Sequence, residues 1–246
     1  MTRMWAAFMW GGISASAVVI GALAALFLKI PKRVIGWIMA FGTGTLIGAA
    51  SFELIGDALN DGGIIPTAIG FTAGAVVYTL FDLLISSKGG GGRKRSAHSK
   101  TGDSNQSGLG IFAGTVMDAI PESIMLGASL LTGKGVSVVL IVSIFVSNIP
   151  EGLSSTVGLR GNHYSKSRII VMWLGVLLIS ALAALGGYLF LEQLPDEMAA
   201  AIGAFAGGGI IAMICSTMMP EAFEEGGPVV GFIASMGLLV SLLLDL

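Results

Sequence analysis

The sequence predicts an all-α membrane protein, eight transmembrane helices forming a 3+2+3 inverted-repeat bundle in a single domain over residues 1–246. Three observations predict it: the composition, the spacing of the apolar runs, and an internal duplication. The chain is 54% hydrophobic and 11% charged, against about 25% charged in soluble domains. Its 37 glycines suit helices that pack closely in lipid. The single cysteine, Cys215, excludes a disulfide framework within the chain and any thiolate cluster. A formal charge of −2 argues against a nucleic-acid partner.

A helix crosses the hydrocarbon core with about 20 apolar residues. Span 1 is expected at 5–28; it is too long for a signal-peptide core and lacks a clear small-residue cleavage site, so it reads as retained. KIPKR precedes span 2 (34–56), and DALNDGG precedes span 3 (64–86). The Gly/Ser-rich, basic stretch 87–108 reads as a flexible cytoplasmic loop. Spans 4 (109–131) and 5 (136–158) follow, joined by TGKG. RGNHYSKSR leads to span 6 (169–191), EQLPDE to span 7 (198–220) and EAFEEGG to span 8 (228–245). Eight spans put both termini on one side. The opposite side then collects 11 of the 13 basic residues, leaving only Arg3 and Lys134 across from them. This bias places the long loop in the cytoplasm and both termini outside, in a membrane of the bacterial inner (plasma) type.

Two blocks of sequence are internally related. FGTGTLIGAASFELIGDALNDGG (41–63) aligns without gaps on FAGGGIIAMICSTMMPEAFEEGG (205–227), 164 positions later. Phe41, Gly44, Asp57, Gly62 and Gly63 fall on Phe205, Gly208, Glu221, Gly226 and Gly227. By the topology above the two blocks run in opposite directions. DAIPES (118–123) and SNIPEG (147–152) form a second such pair. One two-fold axis in the membrane plane would relate spans 1–3 to 6–8 and span 4 to span 5. Inverted repeats that meet at interrupted helices near the midplane mark transporters.

The Ile-Pro-Glu pair carries the chemistry. Asp118 and Glu122 are i and i+4 and share a helix face, as do Ser147 and Glu151, with Asn148 alongside. All lie near mid-span, where a carboxylate costs several kcal/mol or demands a partner and by default marks a function. Pro121 and Pro150 remove one backbone donor each and strand the carbonyls of Met117 and Val146, acceptable where they line a cavity. No Lys or Arg lies inside any span, so clustered carboxylates call for a metal cation or protons.

These residues resemble a known family. SNIPEG is similar to the HNxPEG signature of the ZIP (Zrt/Irt-like) divalent-metal transporters, and DAIPES to its degenerate partner in the preceding helix. FGTGTLIGAASFELIGDA and GGGIIAMICSTMMPEA resemble the second- and seventh-span signatures. The resemblance implies a metal site between spans 4 and 5, often binuclear, and passage into the cytoplasm. It puts Asp118 and Ser147 where the family keeps histidines, Ala119 where it keeps Asn, and Glu122 and Glu151 on its two glutamates. Carboxylate and carbonyl oxygens suit harder ions such as Mn²⁺, while zinc also accepts carboxylates.

The expected function is therefore not enzymatic but the movement of a divalent cation (Zn²⁺, Mn²⁺, Fe²⁺ or Cd²⁺) through Asp118, Glu122, Ser147, Asn148 and Glu151, with no resident cofactor. Glu53 and Asp57 are expected at the entrance and Glu221 near the exit. The alternatives are a proton-coupled carrier of an organic solute, or a relative that binds metal as a sensor. The expected partners are the metal ion and the bilayer, and small-residue helix faces fit a homodimer. Glu224 and Glu225 read equally as neighbours of Glu221 at the exit or as a solvated acidic loop, His98 and His163 as surface histidines, and Met213, Met218 and Met219 as packing residues.

Overall fold

The computed structural model describes residues 2–87, 104–130 and 137–245. Among them it contains eight helices and no strand. These are α1 (Thr2–Phe27), α2 (Lys32–Gly62), α3 (Ile64–Ser87), α4 (Ser104–Ser129), α5 (Val138–Gly161) and α6 (Lys166–Leu191). Helix α7 runs from Asp196–Met213 through Ile214–Met218 into Met219–Gly226, and α8 is Val230–Asp245. Six of the eight are long and apolar enough to cross a bilayer by length and composition among the described residues. Helices α4 and α8 fall outside that set; α8 is apolar but has only 16 residues.

Apolar residues fill the core and also cover the outside. On α3 alone Ile64, Ile65, Ile69, Val77, Leu80 and Leu84 are exposed, whereas Thr43, Thr45, Thr115, Ser143, Ser155 and Thr156 are wholly buried. An exterior of aliphatic side chains around a core that includes buried hydroxyls and carboxylates fits hydrocarbon as the solvent. The fold is that of an integral membrane protein.

Three boundaries differ from expectation. DALNDG and EAFEEG were expected as connections, yet residues Gly56–Gly62 and Met219–Gly226 are helical and carry α2 and α7 beyond their apolar cores. Each helix stops only at a glycine with positive φ and extended ψ, Gly63 (φ 76°, ψ 179°) and Gly227 (φ 74°, ψ −163°), where a side chain would be strained. The acidic residues thus prolong the helices into the polar zone rather than ending them. The long connection is shorter than 87–108, because Ser87 closes α3 and Ser104 opens α4. The SNQS run offers residue types that helix N-termini accept. Residues 88–103, with His98, and the segment 131–136, with Lys134, lie outside the described residues.

Packing divides the helices into two groups. Helix α1 packs on α5 and α6, and α4 on α6; α3 packs on α7, and α2 on α8. Both groups are drawn together at glycines. A Cβ on Gly44 of α2 would fall on the carbonyl of Ala234, and one on Gly237 of α8 on that of Phe41. In α3 and α7, Gly74 meets the carbonyl of Phe205 and Gly208 that of Phe71. Phe41 and Gly44 are the residues that align in sequence with Phe205 and Gly208. In the other group Gly21 meets Ile149 and Gly152 meets Val18, while Gly127 meets Ala184 and Gly187 meets Ile124. In all four pairs a glycine three residues from an exposed carbonyl meets the same unit on its partner. This allows the close backbone approach typical of small-residue crossings in membranes.

Candidate metal centre

The two groups meet where α2 crosses α5. Gly42 faces the backbone of Ser147, leaving no room for a side chain, and Ser143 Oγ donates to the carbonyl of Thr45 at 3.0 Å. At this level α5 presents Ser147, Asn148, Pro150 and Glu151, all buried. The helix runs through Pro150, as α4 runs through Pro121. Close contact with α1, where Gly21 lies against the carbonyl of Ile149, holds α5 at its proline.

Of the residues expected to ligate, Glu122 is 3% exposed, Asn148 3% and Glu151 5%. Carboxylates so far from solvent stay charged only with compensation. Asn148 Oδ1 accepts no hydrogen bond among the described residues, and a buried acceptor in that state calls for a donor or a cation. The Ser147 hydroxyl is turned back to its own helix, donating to the carbonyl of Ile144 at 3.0 Å. Asp118 lies on α4 one turn before Glu122, but its side chain is outside the described residues. Among the described residues no three His, Cys, Asp or Glu side chains form a group that could hold a metal ion. The described donor set near mid-depth is two carboxylates, one amide oxygen and one hydroxyl, carried by α4 and α5.

Glu53 and Asp57 line a cavity of about 330 Å³, with Asp61, Met125, Ser129 and Leu140 among its other walls. The cavity opens at the Asp61 end of the bundle, and its Met125 wall stands one turn from Glu122 on α4. Glu53 belongs to a π-helical stretch, Ala49–Ile55; such a stretch shifts the register of the residues after it and recurs at functional sites. A second π stretch, Ile214–Met218, occupies the aligned part of α7.

The Lys32 end is joined by polar contacts. Glu221 is 6% exposed and accepts from Ser154 Oγ at 2.5 Å. Lys32 Nζ pairs with Glu225 at 3.5 Å, and Trp37 Nε1 donates to the carbonyl of Gly226 at 3.1 Å. Glu225 is thus part of a helix and ion-paired, not a member of a solvated loop. Glu224 is exposed, in keeping with a solvated carboxylate. His163 is exposed at φ 62°, and Met213 and Met218 pack in the central core with Leu46 and Ile214, as expected of surface and packing residues.

Sequence reasoning missed two contributors. Asp61 joins the cavity wall and follows Asp57 by one turn. Ser154 follows Glu151 by three residues on the same face of α5, and that spacing is the one sequence signal that could have found it.

No family model matches the chain. It is 26% identical over 216 residues to a protein of Arabidopsis thaliana whose name provisionally assigns it to zinc transport. The match covers 87% of this chain and 34% of that protein. The chain therefore spans about a third of the length of the curated relative it resembles.

Proposed function

We propose that the protein moves a divalent metal cation across the membrane, through a mid-depth site held by Asp118, Glu122, Ser147, Asn148 and Glu151. The observation that carries this reading is the burial of Glu122, Asn148 and Glu151 on neighbouring helices, in spans with no Lys or Arg to neutralise them. A cation would give Asn148 Oδ1 the partner it lacks among the described residues. The resemblance to ZIP transporters and the name of the plant relative support the same cargo class. Zinc, manganese, iron and cadmium all fit an oxygen-rich set.

In this reading the Asp61 end faces outside and the Lys32 end the cytoplasm, as the distribution of basic residues favours. Ions enter past Glu53, Asp57 and Asp61, exchange water for the α4 and α5 ligands, and leave beside Glu221. Spans 1–3 and 6–8 are inverted repeats. The matched π stretches, the matched glycines Gly63 and Gly227, and the matched crossings of α2 with α8 and α7 with α3 support that symmetry. Alternating access then moves α1, α4, α5 and α6 against α2, α3, α7 and α8.

Glu151→Ala is expected to abolish cation uptake by purified protein in liposomes at unchanged protein level, with Zn²⁺, Mn²⁺, Fe²⁺ and Cd²⁺ each tried. Uptake at the parent rate would overturn the site.

A further inference from the structure

Directly beyond Glu151, α5 carries three consecutive hydroxyls, Ser154, Ser155 and Thr156, each at most 2% exposed. Each reaches a different helix. Ser155 Oγ lies 3.4 Å from Thr115 Oγ1 of α4, and Thr156 Oγ1 accepts from Trp173 Nε1 of α6 at 2.8 Å. Both contacts stay within the group of α1, α4, α5 and α6. Ser154 alone of the three crosses to the other group, donating to Glu221 of α7. The end of α7 is fixed on its own side through Trp37 and Lys32 of α2. On the Lys32 side the Ser154–Glu221 bond therefore spans the joint between the groups, while at the Asp61 end the same joint holds the cavity.

We propose that Ser154 and Glu221 form a latch that closes the Lys32 end, and that the arriving cation opens it by taking Glu221 from Ser154. The proposal rests on the transport reading above. Ser154 stands one turn beyond Glu151 on the same face of α5. The Glu221 carboxylate it holds is therefore about one turn from the mid-depth site. A neutral hydroxyl is a modest partner for a buried carboxylate, and a divalent cation is a far stronger one. A cation descending from Glu151 displaces the hydroxyl, transfers its charge to α7 and frees α5 to move away. Without a cation the hydroxyl reseals the path, so the empty carrier does not stay open to the Lys32 side. Ser154 is a positioning residue in this scheme, and Glu221 a transient ligand.

Accessibility tests the latch without any metal. In a Cys215→Ser background, one reporter thiol is introduced by Met218→Cys, buried one turn before Glu221, and another by Ala199→Cys in the wall of the open cavity. Impermeant maleimide is applied to sided proteoliposomes. Ser154→Ala is expected to speed labelling at position 218 from the Lys32 side by about tenfold, the order of one lost hydrogen bond to a charged group. It should slow labelling at position 199 from the opposite side. Unchanged rates overturn the latch, and so do equal gains at both positions, which mark general loosening. Glu221→Gln keeps an oxygen to accept from Ser154; labelling should match the parent while uptake of Zn²⁺ or Mn²⁺ falls. Parent-level uptake in Glu221→Gln overturns the hand-off. Normal uptake in Glu151→Ala would sink the site assignment while leaving the labelling result standing, so the two failures are distinguishable.

Discussion

Thr156 shows how much a single buried hydroxyl holds in this interior. Its Oγ1 is the acceptor for Trp173 Nε1, and both residues are fully buried. Thr156→Val keeps the shape and leaves an indole N–H without a partner, at a cost of about 1–3 kcal/mol. Thermal unfolding in detergent should show the loss, while the metal preference of uptake stays as in the parent. A preference that changed with Thr156→Val would place Trp173 in the permeation path instead. At this scale the sequence was most informative about charge. Glu122 and Glu151 stand out because a carboxylate in an apolar run has few innocent explanations. Ser154 does not stand out, since serine is ordinary in membrane helices and its partner Glu221 is 67 positions away. Hydrogen bonds between distant residues follow from helix packing, which a single sequence does not display.

At the scale of the element, α2 and α7 resemble each other in their interruptions as much as in their residues. Each carries a π stretch, and each ends on a glycine with positive φ. Alanine at Gly63 or Gly227 should destabilise by about 1–3 kcal/mol apiece, because a Cβ strains this positive-φ, extended-ψ backbone. The two sites lie at opposite ends of the bundle, so the costs should add. Denaturation of the two single variants and the double variant would check this, and a double variant no worse than either single would refute it. Helix identity was legible from apolar run length, and all eight expected spans correspond to helices among the described residues. Helix ends were less legible. Acidic, Gly-terminated stretches read as loops because their composition is polar, yet a helix leaving the hydrocarbon needs polar residues in its last turns. A π stretch has no compositional mark, so Ala49–Ile55 gave no warning of itself.

For the whole molecule, the distribution of basic residues predicts sidedness. Leu59 and His163 are both exposed and lie near opposite ends of the bundle. With Cys215 replaced by serine, Leu59→Cys should react with impermeant maleimide from outside intact cells, and His163→Cys only after the membrane is opened. The reverse pattern would invert the orientation and with it the direction assigned to the cavity. The grouping of helices was only partly legible: a repeat in sequence suggests a symmetry axis but not which helices touch. The observed pairings also bear on biosynthesis. Each glycine crossing joins helices far apart along the chain, α1 with α5, α4 with α6, α3 with α7 and α2 with α8. A ribosome that makes about 5–20 residues per second completes the first two crossings before α7 has emerged. Helices α2 and α3 therefore wait in the bilayer for several seconds with their small-residue faces unmatched. During that interval the nascent chain holds half of its finished architecture, and its remaining half is open to whatever chaperone or lipid occupies the grooves.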